Sequence, residues 1–188
     1  MDTSPARIEG VNEALVEPVP LVAAAHSEGF AELYERSFPR VYAYVASLLR
    51  DRAAAEDVTS QAFERAYRKR RSYRAGRGSA DAWVFGIARN AALDELRKRK
   101  RRAKLEGEPE DTVSPSLDDA AEGALRRTVV REALARLDGA ERDLVALKFM
   151  GGLSNAEIAR VLGLSESNAG TKLHRTLTKL REACHDRA

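Results

Sequence analysis

Cysteine, aromatic residues and long apolar runs are scarce in this chain of 188 residues. The single cysteine, Cys184, excludes an intramolecular disulfide framework and argues against a cysteine-based zinc site. Aromatic residues make up only 6% of the chain, whereas Ala, Leu, Arg and Glu are plentiful, which favours helices over sheets. No run of about 18 apolar residues occurs, and the N-terminus lacks the basic start and apolar core of a secretory signal. The sequence therefore predicts a cytoplasmic helical protein without membrane insertion.

Charge is distributed unevenly along the chain, although the net charge is only +3. Residues 65–104 contain fifteen Lys or Arg and three acids, a local net charge of +12. Residues 105–125 contain seven acids and no base, a local net charge of −7. A basic block followed by an acidic, proline-bearing block indicates a domain edge and then a linker, and the basic block suggests a polyanionic partner. A solvated helix face is the alternative interpretation of the basic block.

The pattern of apolar residues divides the chain into four parts. Residues 1–25 hold three prolines and no apolar period, so we expect a flexible tail. A helical domain is expected over residues 26–104, an acidic linker over 105–128 and a second helical domain over 129–188. The hydrophobic content of 44% is sufficient for two small all-α domains.

Three helices are predicted in the first domain. The first begins near Glu28 with Ser27 as its N-cap, and Pro39 should kink or break it. The others span about residues 53–70 and 82–102, with a glycine-containing loop over 72–81 between them. Trp83 falls on the polar half of the third helix, so its indole either packs against a neighbouring helix or is offered to a ligand.

The second domain contains a predicted helix-turn-helix. Helices are expected over about residues 126–137 and 140–150, before the Gly151–Gly152 pair. Ser154 and Glu157 form a capping box that opens a short helix over residues 155–162. Gly163 suits the left-handed turn, and Ser165 caps the next helix. On that helix an apolar seam lies opposite a polar row, which is the arrangement of a helix that reads the major groove. An ordinary helical hairpin is the alternative.

These motifs together resemble a known family. The residues that resemble region 2 of extracytoplasmic-function sigma factors are 55–58 with Phe63, 83–90 with Asp94, and the basic run 97–102. Those that resemble region 4 are 134–137, 144–149 and the helix-turn-helix with 173–175. The resemblance covers about residues 26–104 and 129–185. It implies an alternative sigma factor that binds core RNA polymerase and directs it to specific promoters.

The resemblance also implies a role for three sets of residues. Docking on the largest polymerase subunit would use Asp57, Gln61 and Glu64. Melting and reading of the −10 promoter element would use Trp83, Arg89, Asn90, Asp94 and Arg97. Reading of the −35 element, next to the second-largest subunit, would use Ser167, Asn168, Thr171, Lys172, Arg175 and Lys179. An anti-sigma factor is a further possible partner.

Two other functions are alternatives to this interpretation. A one-component helix-turn-helix regulator would use the first domain for sensing or dimerisation, but this leaves the basic block without a use. An enzyme is disfavoured because no nucleophile–base pairing, metal spacing or phosphate loop occurs, and His26, His174 and His185 lie apart. We therefore predict no catalytic residue, no metal and no cofactor.

Overall fold

A computed structural model of the chain describes the backbone of residues 21–106 and 121–185, and side chains within 29–105 and 128–185. The described residues form helices and turns without a strand, which confirms the all-α prediction. The helices are α1 Leu21–Leu49, α2 Arg52–Lys69, α3 Ala80–Glu106, α4 Ala121–Ala135, α5 Gly139–Phe149, α6 Asn155–Leu162 and α7 Glu166–His185. Short 3-10 turns lie at Arg70–Ser72 and Ala75–Arg77.

Helices α1, α2 and α3 form the first domain and pack pairwise against one another. Buried alanines such as Ala62 and Ala88 allow the helices to approach closely. Tyr34, Phe38 and Phe63 form an aromatic cluster between α1 and α2, with ring centroids 4.9–5.6 Å apart. This core fixes the orientation of the polar faces of α2 and α3.

The start and the continuity of α1 differ from the prediction. The helix begins at Leu21, so Ser27 lies inside it and is not its N-cap, and residues 21–25 belong to a helix, not to the tail. Residues 1–20 lie outside the described part of the chain. The helix also continues through Pro39. Leu33 and Val41, on either side of the proline, are both buried in the same core, and this packing outweighs the cost of about 3 kcal/mol of an internal proline.

The third helix is longer at both ends than predicted. Ser79 caps it, because the Ala82 amide donates to Ser79 Oγ at 3.1 Å, and the helix extends to Glu106. Its basic C-terminal half consists mostly of Lys, Arg and Leu, which are good helix formers. Helix α4 begins at Ala121, so only 107–120 of the predicted linker 105–128 lies outside the helices, and those residues are not among the described ones.

Helices α4–α7 form the second domain. A capping box joins Asp138 and Glu141 at the start of α5, and a second one joins Ser154 and Glu157 at the start of α6. Gly163 ends α6 with φ 67°, in the left-handed region predicted for the turn. The two domains are in contact through α1 with α5 and α3 with α6.

Candidate nucleic-acid interface

Helices α6 and α7 have the geometry expected of a helix-turn-helix. Helix α6 spans the predicted residues, Asn155–Leu162. The Leu164 amide donates to the Ala159 carbonyl at 2.8 Å, which closes the turn, and the Asn168 amide donates to Ser165 Oγ at 3.3 Å. Backbone hydrogen bonds therefore close the end of α6, and the Ser165 side chain caps the start of α7.

Helix α7 buries one face and exposes the other. Ala169, Leu173 and Thr176 are buried against the rest of the domain. All six predicted −35 residues are exposed: Ser167, Asn168, Thr171, Lys172, Arg175 and Lys179. The N-terminal half of α7 therefore presents a polar surface that no other described helix covers.

Lys179 differs from the other cations of this surface because it has a protein partner. Its ammonium donates to Glu141 Oε2 at 2.8 Å and to Oε1 at 3.1 Å, which ties α7 to α5. The hydrogen bond from Lys179 holds the pKa of Glu141 below its usual range. Lys172 and Arg175 pair with no acid among the described residues. Lys172 lies near enough to Asp138 for its charge to contribute to lowering the pKa of that carboxyl, after the hydrogen bond from the Glu141 amide. Neither Lys172 nor Arg175 has to break a salt bridge to contact an anion, whereas Lys179 must give up its salt bridge with Glu141.

A second polar surface lies at the start of α3. The Trp83 ring lies against Tyr73 of the preceding loop, with centroids 5.5 Å apart, and it is also partly buried against the helical core, as the packing interpretation predicts. The same indole also lines an open cavity of about 410 Å³ together with Asn90. Arg74 and Arg77 line this cavity too, and neither pairs with an acid among the described residues. Aromatic faces beside unpaired guanidinium groups suit a base and its phosphate.

The other predicted −10 residues are already paired. Arg97 donates to Asp94 at 2.6 Å on the exposed face of α3. Arg89 lies under the second domain, where its Nε donates to Asp143 Oδ2 at 2.6 Å. The structure thus brings Trp83 and Asn90 together at the cavity. Arg89 does not line the cavity, because it is paired with Asp143, a partner that the sequence did not reveal.

Asp81 anchors this surface to α1. Its carboxylate accepts hydrogen bonds from Ser37 Oγ at 2.7 Å, Arg40 at 3.0 Å and Arg36 at 3.1 Å. Partial burial acts to raise the pKa of Asp81, but these hydrogen bonds and the charges of Arg36 and Arg40 outweigh it and lower the pKa. In the sequence Asp81 is simply one of three acids in a basic block, and only the fold reveals its partners.

The docking residues predicted on α2 share an exposed face. Asp57, Gln61 and Glu64 are all exposed, whereas Val58 and Ala62 on the other face are buried. Glu64 accepts from Arg68 at 2.5 Å, an exposed pair one helical turn apart. This face is therefore available to a protein partner.

Several side chains connect the two domains, and none of these contacts was predicted. Tyr44 Oη donates to Asp143 Oδ1 at 2.6 Å, beside the bond from Arg89. Ser79 donates to Glu157, and Arg40 donates to the Gly151 carbonyl. Partial burial acts to raise the pKa of Glu157, but hydrogen bonds from Ser79 and Ser154 outweigh it and lower the pKa.

Two family models match the chain. The model described as Sigma-70 region 2 matches residues 33–102, which cover most of α1, α2 and α3. The model described as Sigma-70, region 4 matches residues 127–180, which end within α7. Among curated proteins, the ECF RNA polymerase sigma factor BldN of Streptomyces coelicolor is 31% identical over 185 residues, covering 93% of this chain and 67% of BldN.

The chain belongs to the ECF family of RNA polymerase sigma factors. SigK of Mycobacterium tuberculosis is 29% identical over 184 residues, covering 95% of this chain and 96% of SigK. The sigma factor is an alternative initiation subunit that binds core RNA polymerase and directs it to promoter DNA. This favours the main prediction over a one-component regulator, and sigma factors are known as initiation factors without enzymatic activity.

Two solved structures share the fold of this sigma factor. RpoE of Bartonella quintana, in complex with the anti-sigma factor NepR, has a TM-score of 0.71 and 24% identity, covering 86% of this chain and 99% of that chain. CnrH, in complex with the cytosolic domain of CnrY, has a TM-score of 0.64 and 22% identity, covering 89% of this chain and 97% of that chain. The two-domain helical architecture is therefore shared.

Two searches of the described residues were negative. No helix in 21–106 or 121–185 is long and apolar enough to cross a membrane. Within the same residues no group of His, Cys, Asp and Glu side chains is arranged to hold a metal ion.

Proposed function

We propose that the sigma factor binds its partners through three separate surfaces. The exposed face of α2, with Asp57, Gln61 and Glu64, docks on the largest subunit of core polymerase. The surface of α3 that includes Trp83 and Asn90 captures unpaired bases of the −10 element, with Arg89, Asp94 and Arg97 at its side. The N-terminal half of α7 reads the −35 duplex beside the second-largest subunit. Residues 26–104 and 129–188 are the corresponding domains, and both act in the cytoplasm, where polymerase and promoters are found.

The exposed face of α7 is the observation that carries the −35 assignment. Asn168 and Thr171 lie near the start of the helix, where side chains reach base edges in the major groove. Lys172 and Arg175 have no acidic partner among the described residues, so they suit phosphate contacts. Lys179 is a further phosphate candidate after exchange of its bond to Glu141.

Promoter selection from a −35 library with reconstituted holoenzyme tests this assignment at two salt concentrations. Asn168→Ala should cost about 1–3 kcal/mol on the cognate site and relax preference at one base pair. Lys172→Ala should weaken all upstream elements about equally and reduce the salt slope by about one unit. Arg181→Ala is the matched control, because Arg181 is exposed near the far end of the same helix. An unchanged −35 preference with Asn168→Ala, together with an altered one with Lys172→Ala, would overturn this orientation of α7.

An anti-sigma factor is a further proposed partner. RpoE, which shares the fold, was solved in complex with the anti-sigma factor NepR, which supports the proposal. Co-purification of the tagged sigma factor from its source cells, followed by transcription in the presence of the captured protein, tests it. Inhibition is the expected result, and a captured protein without effect on transcription would contradict it.

A further inference from the structure

The cavity beside Trp83 and Asn90 has a second wall, which comes from helix α6. The loop 72–79 and the start of α3 form one side of the cavity, and Arg160 and Val161 of α6 form the other. Its volume of about 410 Å³ falls within the range of about 300–1,000 Å³ that is usual for small-molecule sites. The cavity is therefore large enough for a small ligand that contacts both walls.

Three arginines line this cavity, and no acid is among the described residues that line it. Arg74 and Arg77 come from the loop and Arg160 from α6, and none of the three forms a salt bridge with a described acid. Glu157, which accepts a hydrogen bond from the lining residue Ser79, is already engaged in the capping box of α6. Guanidinium groups bind phosphate oxygens through pairs of N–H donors. The lining therefore suits a ligand that carries more than one phosphate.

The loop is shaped to admit the side chain of Arg160. Gly78 has φ 134°, and a Cβ at this position would lie 3.0 Å from Arg160 Nη1 and 3.3 Å from its Cδ. Any other residue at position 78 would therefore meet the arginine side chain. The Tyr73 hydroxyl donates to the Gly78 carbonyl at 3.0 Å, which holds the loop in this conformation. The glycine thus allows the third guanidinium to reach the cavity.

The same cavity offers contacts for a base. Trp83 lines it, and the face of an indole stacks on any base. Asn90 is exposed at the cavity, and its side-chain amide carries both a donor and an acceptor, as the edge of a base requires. Gly86 and Ile87 add apolar surface to the lining. An aromatic face, an amide and three guanidinium groups together have the chemistry that recognises a nucleotide.

We propose that this cavity binds a free nucleoside di- or triphosphate, with the base on Trp83 and the phosphates among Arg74, Arg77 and Arg160. Adjacent phosphates concentrate negative charge in one place, which matches three arginines from two walls. The −10 role that we assign to Trp83 and Asn90 needs only the wall from the first domain, whereas the free nucleotide needs both walls. A bound nucleotide and an unpaired −10 base would exclude each other at the indole, and this consequence alone rests on the proposed function.

Fluorescence of Trp83 tests the proposal directly, because Trp83 is the single tryptophan of the chain. The full-length sigma factor, without DNA or core polymerase, is titrated with ADP, ATP and GTP, and with adenosine and pyrophosphate as partial ligands. Calorimetry gives the stoichiometry. The nucleotides should quench the fluorescence saturably at one site per chain. They should bind about tenfold or more tightly than either partial ligand, because base and phosphates both contribute contacts.

Variants of the α6 wall locate the ligand. Arg160→Ala should weaken nucleotide binding about tenfold, because it removes a charge-assisted contact with phosphate. Arg160→Lys should recover part of the affinity, since it keeps the charge and loses the fork of donors. Arg181→Ala is the matched control, because Arg181 is an exposed arginine of the same domain that does not line the cavity. Circular dichroism checks folding, and Arg77→Ala decides by the same titration if Arg160→Ala does not fold.

Three results would overturn the proposal. The first is the absence of saturable quenching by all three nucleotides at concentrations up to about 1 mM. The second is an affinity of Arg160→Ala and Arg77→Ala equal to that of wild type, which would place the ligand elsewhere. The third is equal affinity for pyrophosphate and ATP, which would show an anion site without base recognition. Failure of the −10 assignment would leave these titrations unchanged and appear only in open-complex assays.

Discussion

At the scale of a single residue, Trp83 combines a packing contact with a position in the cavity that we propose for −10 recognition. The indole lies against Tyr73, with ring centroids 5.5 Å apart, and it also lines the cavity beside Asn90. The contact with Tyr73 stabilises the loop before α3, and we propose that the part of the indole that lines the cavity stacks on an unpaired base. We therefore expect a substitution of Trp83 to affect both stability and strand opening, and the two effects need separate measurements.

Trp83→Ala should reduce open-complex formation roughly 5- to 150-fold, because stacking of a base on an aromatic ring contributes about 1–3 kcal/mol. Trp83→Phe should retain most of the activity. Fluorescence of 2-aminopurine in the −10 element reports opening, and gel shifts of the closed complex and thermal melts of the variants are the controls. A loss of opening that follows only the unfolded fraction would show that Trp83 has a packing role alone.

Alanine substitutions at two glycines should change the free energy of unfolding in opposite directions. A Cβ at Gly170, within α7, would lie 3.6 Å from Asn155 Nδ2, an ordinary contact. Gly170→Ala should therefore raise the free energy of unfolding by up to about 1 kcal/mol through helix propensity. A Cβ at Gly151 would lie 2.5 Å from the Leu147 carbonyl oxygen and 3.2 Å from the Phe85 ring.

Gly151→Ala should accordingly lower the free energy of unfolding by about 1–3 kcal/mol, because the close neighbour is backbone and cannot move aside easily. Urea denaturation of both variants beside wild type measures the two changes. Equal changes in the same direction would contradict this account of the two positions.

At the scale of helices, capping residues and turn glycines predicted the helix ends that depend on local sequence alone. The capping box at Ser154 and the turn at Gly163 fix both ends of α6, so its bounds were predicted correctly. The start of α1 and its continuity through Pro39 depend on packing against other helices, which no local signal reports. The exposed row of α7 follows from the period of a single helix. The pairing of Arg89 with Asp143 joins residues 54 apart and could not be read from any period.

The polar face of α2 gives the clearest test at this scale. Glu64→Arg should weaken binding to core polymerase about tenfold or more, because it replaces a negative charge with a positive one on the face that we assign to docking. Glu56→Arg is a matched control, since Glu56 and Glu64 are both exposed and each pairs with an arginine one turn away.

Fluorescence anisotropy of the labelled sigma factor with core polymerase gives both affinities, and circular dichroism checks helicity. Equal losses of affinity for Glu56→Arg and Glu64→Arg would show that binding depends on the total charge of α2 and that the assigned face is not the docking site. An unchanged affinity for Glu64→Arg, alone or combined with Asp57→Arg, would remove the assignment entirely.

At the scale of the whole molecule, buried residues of both domains form one apolar core, although we propose separate promoter elements as the targets of the two domains. The basic C-terminal half of α3 and the acidic stretch that follows it were readable from the sequence as a domain edge. The contacts between the two domains could not be predicted from the sequence, because Tyr44 and Arg89 meet Asp143 only in the folded chain.

Run-off transcription on pooled genomic fragments tests the central claim most directly. Core polymerase alone, core with the sigma factor, and core with the Asp57→Arg, Glu64→Arg double variant are compared, together with a footprint of the sigma factor without core. The account predicts new transcripts only with the wild-type sigma factor, start sites preceded by shared −35 and −10 elements at a fixed spacing, and no footprint without core. The same transcripts from core alone, or a specific footprint by the free protein, would contradict it.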